Sequence, residues 1–297
     1  MHTSVLPNET ITGLDLQAGE LVFDGTFGLG GHSRKILESN PSVKVLATDL
    51  DSDSQIYADT LKQEFGDRFT FVQNSFMNIT EVLTQQNLTT IDKALLDLGW
   101  NSNQFEAGGR GFSFQKDEPL LMSFKKEINE DDVTAFEIVN KWEEENIADI
   151  LYGFGEERYS RHIARAIVVA RQEKPIETTG QLVEVIYSAV PKQYRFGKIH
   201  PATRTFQALR ITVNKELQVL EIALREIWQH LRAGGKMAII SFHSLEDRIV
   251  KNFAKEREKQ DGKNLTKKPI TPSEIEIQAN PRARSAKMRI IQKLNQN

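Results

Sequence analysis

The sequence contains no cysteine. Disulfides, thiolate metal sites and a cysteine nucleophile are therefore excluded. Long apolar runs are also missing, and no stretch approaches the roughly 20 apolar residues of a membrane span. The opening MHTSVLPNET lacks the basic start and apolar centre of a secretory signal. A cytoplasmic location with no membrane partner is expected. An excess of positive charge is absent too: 38 Lys and Arg face 41 Asp and Glu, a net of -3. A nucleic acid, if bound, must be met by local patches. What is present is ordinary for a soluble globular chain, with 39% hydrophobic and 27% charged residues over 297 positions. That length suffices for one large core or two domains.

Short apolar runs alternate with helical patterns through the first hundred residues. Leu21-Val22-Phe23, Val43 to Asp49, Phe69 to Gln73 and Lys93 to Asp97 read as strands. A helix is expected over Ser54 to Phe65. This alternation predicts an α/β fold with a doubly wound parallel sheet and helices on both faces. Ligands in such sheets bind outside the carboxyl ends of the strands, and Asp24, Asp49 and Asp97 stand at such ends. From Asn103 to about His200 the strand pattern stops. Helices are expected near Asp131 to Trp142, Glu144 to Tyr152, Glu157 to Gln172 and Thr179 to Ala189. This predicts an inserted all-helical domain at 103–202, dividing a sheet domain into 1–102 and 203–297. Phe206, Leu209, Val213, Leu217, Leu220, Leu224, Ile227 and Leu231 then repeat at helical spacing as one stripe, which Gly234-Gly235 is expected to end. A fifth strand is read over Lys236 to Phe242 and another over Ser285 to Ile291. The tail from Asp261 onward holds eight Lys or Arg against three Asp or Glu, a net of +5.

The stretch DGTFGLGGHS, Asp24 to Ser33, is a glycine loop between a strand and a helix. It lacks the third glycine of the dinucleotide fingerprint G-x-G-x-x-G and the lysine of a Walker loop. Asp49 lies 21 residues after Gly28, where a carboxylate can accept both hydroxyls of a ribose. Carboxylates such as Asp24 and Asp97 would repel phosphates but tolerate a cation. S-adenosylmethionine, with ribose, adenine and a cationic sulfonium but no phosphate, fits these facts. Phe76, after the third strand, is placed to cover the adenine. Taken singly, the loop reads as a tight turn, an aspartate as a helix cap and Phe76 as core. The ordered set favours a methyltransferase over a nucleotide-dependent oxidoreductase.

The motifs together resemble one family. His2 to Leu6, DGTFGLGGHS, Leu95 to Gly99 (LLDLG), Arg110 to Phe114 (RGFSF), Tyr152 to Arg158 (YGFGEER), His200 to Ile211 (HPATRTFQALRI), Ile240 to Lys251 (ISFHSLEDRIVK) and Asn280 to Arg289 (NPRARSAKMR) run in order along the chain. They resemble the bacterial 16S ribosomal RNA cytosine N4-methyltransferases of the MraW/RsmH type. The resemblance implies a Rossmann-like methyltransferase sheet with an inserted helical domain. It implies S-adenosylmethionine as donor and a cytidine in the decoding region of 16S RNA, within the small subunit, as acceptor. It places the cofactor on Gly30, Gly31, His32, Asp49, Phe76, Asp97 and Gln104. Two stretches depart from the family pattern. Trp100 stands where a small aliphatic is usual. In Asp117 to Phe124, Glu118 replaces a glycine, Leu121 a carboxylate and Ser123 an arginine. These departures keep an alternative open, a ribosome- or RNA-binding relative that holds the cofactor with weak or altered transfer.

For the chemistry, Asp97 is the first candidate to accept a hydrogen bond from the amine, then Asn101 and Ser102, with Trp100 a candidate to stack on the base. His243 is a candidate lining of the acceptor pocket. Ser241, His243 and Asp247 do not form a hydrolase triad, because they crowd one turn without a G-x-S-x-G elbow. Ser244 with Asp247 reads as a helix-capping box. No metal is expected. RNA contacts are expected from Arg110 with Phe112 and Phe114, from Arg204 and Arg210, and from Arg282, Arg284, Lys287 and Arg289 in the tail. The oligomeric state stays open, a homodimer included.

Overall fold

Paired neighbours along the strands point to opposite faces of one sheet. Val22, Val45, Leu95, Ala238 and Ile290 enter one core cluster, and Phe23, Leu46, Leu96, Ile239 and Ile291 enter the other. A strand buried on both faces reads as a continuous apolar run rather than an alternating one. The computed structural model describes residues 4–98, 109–125, 127–129, 132–197 and 199–295. It divides into two compact units, Met1–Trp100 with Leu217–Asn297, and Asn101–Glu216.

The first unit is built on a seven-stranded sheet of order β3-β2-β1-β4-β5-β7-β6. The strands are β1 Leu21–Asp24, β2 Lys44–Asp49, β3 Phe69–Gln73, β4 Ile91–Asp97, β5 Leu231–Ser241, β6 Gly262–Asn264 and β7 Lys287–Lys293. β1 to β5 are parallel. β7 runs antiparallel to β5, and β6 antiparallel to β7, so the expected parallel sheet is present and carries an antiparallel edge. β1 lies between β2 and β4, which makes the carboxyl end of β1 the point where strand order reverses. A crevice for a ligand opens at such a point.

Three expectations are corrected. The stripe from Phe206 to Leu231 is two helices, Ala202–Asn214 and Glu216–His230, separated by Lys215 in the left-handed region at φ 51°. Asn214 explains the break. Its amide donates to the Met122 and Arg210 carbonyls at 2.8 and 2.9 Å, and its oxygen accepts the Phe124 N–H at 2.8 Å. The stripe therefore serves two cores: Phe206 and Leu209 are buried in the helical unit, and Leu220, Leu224 and Ile227 in the sheet unit. Gly234 and Gly235 do not end a helix. They lie within β5, where pairing with β4 jumps from Ile91↔Leu231 to Lys93↔Lys236. A Cβ on Gly235 would come within 2.6 Å of the Asp92 carbonyl oxygen, so the irregularity needs a glycine. Near the tail, Ser285 belongs to a 3-10 turn, Pro281–Ser285, and the strand starts at Lys287.

The second unit is helical among its described residues, with helices Ala135–Lys141, Glu144–Gly153, Ser160–Glu173, Thr179–Ala189 and Ala202–Asn214 and the short turn Lys192–Arg195. The expected start at Asp131 lies outside the described residues. Instead Thr134 caps the helix at Ala135 by accepting the Glu137 N–H. Thr178 and Gln181 close a reciprocal capping box on Thr179–Ala189. The only strand-like pairing there among described residues is the bridge Pro119↔Thr178.

Candidate functional site

The glycine loop leaves β1 and is stitched to both neighbours. The Gly25 N–H donates to the Leu95 carbonyl of β4, and the Phe27 N–H to the Thr48 carbonyl of β2, each at 3.0 Å. Two glycines are demanded by space. A Cβ on Gly25 would fall 2.5 Å from Leu96 Cδ2 and 2.8 Å from Phe76 Cβ. Gly30 has φ 78°, and a Cβ there would meet the Phe27 ring at 2.8 Å. Gly30 is thus required by the packing of the loop itself, as well as by the left-handed turn. Gly31 then begins the helix Gly31–Ser39, which carries His32 and Ser33 in its first turn.

Three strand-end carboxylates surround this loop. Asp24 is buried, accepts the Ser33 hydroxyl at 2.6 Å and the Thr26 N–H at 3.2 Å, and burial pushes its pKa up. Asp49 accepts the Gly28 N–H at 2.6 Å on one oxygen and the Asp51 N–H at 2.8 Å on the other. Burial raises its pKa as well. Each oxygen of a carboxylate can accept a second hydrogen bond, so Asp49 retains capacity for hydroxyls. Asp97 donates its N–H to Thr26 Oγ1 at 2.6 Å. Its Oδ2 stands 3.3 Å from His32 Nε2, and both side chains are largely buried. The contact lacks hydrogen-bond geometry, and His32 Nε2 is a buried nitrogen with no hydrogen-bond partner. Burial disfavours the imidazolium, but Asp97, with Asp24 and Glu276, outweighs it and raises the His32 pKa. Glu276 also accepts the Leu6 N–H at 2.7 Å, which ties the N-terminal segment to the helix Glu274–Ala279.

Phe76 opens the 3-10 turn Phe76–Asn78, where Ser75 accepts the Met77 N–H. It is partly buried against the cluster containing Phe23 and Leu46. The structure thus gathers Gly30, Gly31, His32, Asp49, Phe76 and Asp97 around the carboxyl ends of β1, β2 and β4. Trp100, Asn101, Ser102 and Gln104 lie outside the described residues. The anchoring roles of Thr26, Ser33 and Glu276 were not anticipated. Ser33 alone had a signal, as a hydroxyl in the first turn after an acid-ended strand.

His243 sits at the end of β5 in a role that corrects the sequence reading. The capping box is formed one residue earlier than Ser244 and Asp247. His243 Nδ1 accepts the Glu246 N–H at 3.4 Å, and Glu246 Oε2 accepts the N–H groups of Phe242 and His243 at 2.8 and 3.2 Å. Asp247 is instead occupied by Arg289, which donates to both its oxygens at 2.7 and 3.2 Å, with Lys287 at 3.7 Å. Burial opposes ionisation of Asp247, but Arg289 and Lys287 prevail and lower its pKa.

The candidate RNA contacts divide in the same way. Arg289 is buried in its pair with Asp247. Arg210 makes a bidentate pair with Glu216 at 2.7 and 2.8 Å, with its side chain 11% exposed. Phe112 is buried and stacks on Phe124 at 5.6 Å, and Arg110 donates to the Phe124 carbonyl. Phe114 stacks on His200 at 4.3 Å. Arg282 and Arg284 are exposed. Arg204 is half-exposed and donates to the Glu156 carbonyl at 3.0 Å.

A family model described as the MraW methylase family matches residues 1–294. Several relatives carry the name ribosomal RNA small subunit methyltransferase H. That of Trichodesmium erythraeum is 45% identical over 99% of this chain and 99% of its own. That of Rhodopseudomonas palustris is 44% identical over 97% of this chain and 89% of its own. That of Clostridium botulinum is 42% identical over 99% of each. Among solved structures, a putative methyltransferase from Streptococcus mutans in complex with SAH aligns over 99% of this chain and 100% of its own, at 13% identity and a TM-score of 0.46.

Proposed function

The chain belongs to the MraW methylase family, and from that premise we propose that it transfers a methyl group from S-adenosylmethionine to the exocyclic N4 amine of a cytidine in the decoding region of 16S ribosomal RNA. The observation that carries this reading is the ring of carboxylates. Asp24, Asp49 and Asp97 end three adjacent strands around a glycine loop that contains no lysine or arginine. Such a site repels phosphates and accepts a cationic adenosyl group. The largely buried His32, with Nε2 3.3 Å from Asp97 Oδ2, adds a polar group at the carboxyl end of β4.

S-adenosylmethionine supplies the methyl group on a sulfonium. The chain's own residues do the rest. Asp49 accepts the ribose hydroxyls, Phe76 covers the adenine, and Gly30, Gly31 and His32 with Gln104 complete the binding set. The amine of cytosine is a poor nucleophile because its lone pair is delocalised into the ring. It must be held in line with the methyl group, and its N–H groups must find fixed acceptors. Asp97 is the first such acceptor, with Asn101 and Ser102 next. The surplus proton leaves to a base or to water. His243 lines the acceptor side. The helical unit, with Arg110, Phe112, Arg204 and Arg210, together with the tail's Arg282 and Arg284, serves recognition of RNA in the small subunit. A cytoplasmic location belongs to the same proposal.

Leu121 and Ser123, which depart from the carboxylate and arginine that the family resemblance leads one to expect, favour one second reading: a cofactor-holding RNA binder with little transfer. Mass spectrometry of small-subunit RNA incubated with the enzyme and labelled methyl donor decides between them. N4-methylated cytidine is expected. Its absence, where a relative works, would sink the catalytic reading. Calorimetry adds a second check, since tighter binding of NAD than of S-adenosylmethionine would overturn the cofactor.

A further inference from the structure

The helical unit holds a cationic pocket that brings Arg204, named above for RNA recognition, together with Arg158. It is lined by Arg158, Gln193, Tyr194, Gly197, Ile199 and Arg204 and encloses about 300 Å³. Its charge is carried on a built support. The Arg158 guanidinium lies 4.9 Å from the ring centroids of both Tyr159 and Tyr194, and those rings meet edge to face. Both tyrosines are tied to one buried carboxylate. Tyr194 donates its hydroxyl to Glu157 at 2.6 Å, and the other Glu157 oxygen accepts the Tyr159 N–H at 2.8 Å. Burial and the Glu157 contact push the Tyr194 pKa up to about 12, so this phenol remains a donor.

Glu157 is therefore consumed by the tyrosines, and Arg158 is oriented by ring faces, which hold a guanidinium without neutralising it. Arg204 is anchored on the neutral Glu156 carbonyl. Among the described residues neither guanidinium forms an ion pair. Phe196, the chain neighbour of the lining residue Gly197, is 83% exposed, and Ile199 of the lining 55%. Two oriented, uncompensated guanidinium forks fit phosphate oxygens. An open aromatic ring fits an unstacked base. An acidic protein segment would use the first feature and leave the second idle.

We propose that this pocket binds a phosphodiester of single-stranded RNA, with Arg158 and Arg204 on the phosphate and Phe196 stacked on an unpaired base. The assignment rests on the reading of the chain as an enzyme of RNA, but it is tested by binding rather than by transfer. The full-length chain, with Arg158→Gln, Phe196→Ala and both together, is titrated against a labelled single strand from the 16S decoding region over a range of salt. S-adenosylmethionine is titrated in parallel. Losing one phosphate contact should reduce the slope of log K against log salt by about 0.7. Losing the stacked base should weaken binding roughly tenfold or more at every salt concentration. Cofactor affinity should hold, since both side chains are exposed and the sheet unit is untouched. Arg158→Lys keeps the charge and should keep the slope. A double variant with wild-type RNA affinity and slope would overturn the proposal. So would a variant that binds naked RNA normally and loses only the assembled subunit, because the pocket would then face a protein. A wild-type chain that binds RNA but transfers no methyl group would overturn the catalytic reading alone.

Discussion

His32, in the first turn after the glycine loop, faces Asp97, the last residue of β4, with Nε2 and Oδ2 3.3 Å apart. Burial works against the imidazolium, and Asp97, Asp24 and Glu276 together overcome it, so the folded pKa lies above the ordinary 6.5. A histidine of raised pKa gives stability that is fully present below its unfolded value and is lost as pH rises through the folded one. The melting temperature of the wild type should therefore exceed that of His32→Gln by most in acid, and the gap should close as pH climbs upward from 6.5. Parallel melting curves check this. A gap independent of pH would show that the pair is not charged.

Asp49 offers a cleaner test of cofactor binding. Its two oxygens are held by backbone N–H groups of Gly28 and Asp51, and burial already disfavours its charge. Asp49→Ala should leave the fold intact. Hydrogen bonds to charged groups contribute about 1.5–3 kcal/mol each, so affinity for S-adenosylmethionine should fall at least about tenfold. Calorimetry with unchanged affinity would remove Asp49 as the ribose ligand.

These two residues also mark what the sequence could reveal. Asp49 was legible because an apolar run ends on it. The helices Ser54–Phe65 and Thr179–Ala189 were legible from their periodicity and limits, and β3 from its β-branched and aromatic residues. The pairing of His32 with Asp97 was not legible, since nothing local joins a helix start to a distant strand end. The break at Lys215 was hidden because Val213 and Leu217 keep helical spacing across it. Only the tertiary bonds of Asn214 reveal it. Gly262–Asn264 carries no strand pattern at all and pairs only because β7 presents an edge. Arg289, expected from the sequence to contact RNA, lies in the interior with Asp247.

The altered stretch before the helix Ala135–Lys141 is pinned from several sides. Glu118 accepts the Gly111 N–H at 3.0 Å and Met122 donates its N–H to the Arg110 carbonyl. Ser123 is 5% exposed and accepts the Lys125 N–H at 3.1 Å, whereas Leu121 is partly exposed. Leu121→Asp should fold normally. Ser123→Arg must force a long side chain into a filled place, at a cost of about 1–3 kcal/mol. Denaturant titration of both variants checks the difference. Equal stability would mean that position 123 has room for an arginine, and the altered stretch would then be neutral for folding.

His243 separates support from chemistry. Its Nδ1 caps the helix Ser244–Glu258, while its Nε2 is buried, without a hydrogen-bond partner, 3.0 Å from Glu246 Oε1. Removing a cap costs about 1 kcal/mol, so His243→Ala should lower the melting temperature. Asn is a good capping residue, and His243→Asn should restore that stability. It does not restore a ring nitrogen in the place of Nε2. If His243 lines the acceptor pocket, His243→Asn melts like the wild type yet transfers methyl groups roughly tenfold more slowly or worse. That is the expected result, with kcat affected more than the KM for S-adenosylmethionine. Full kcat in His243→Asn would reduce His243 to a cap, and the search for the amine's acceptor would return to Asp97 and the residues that follow it.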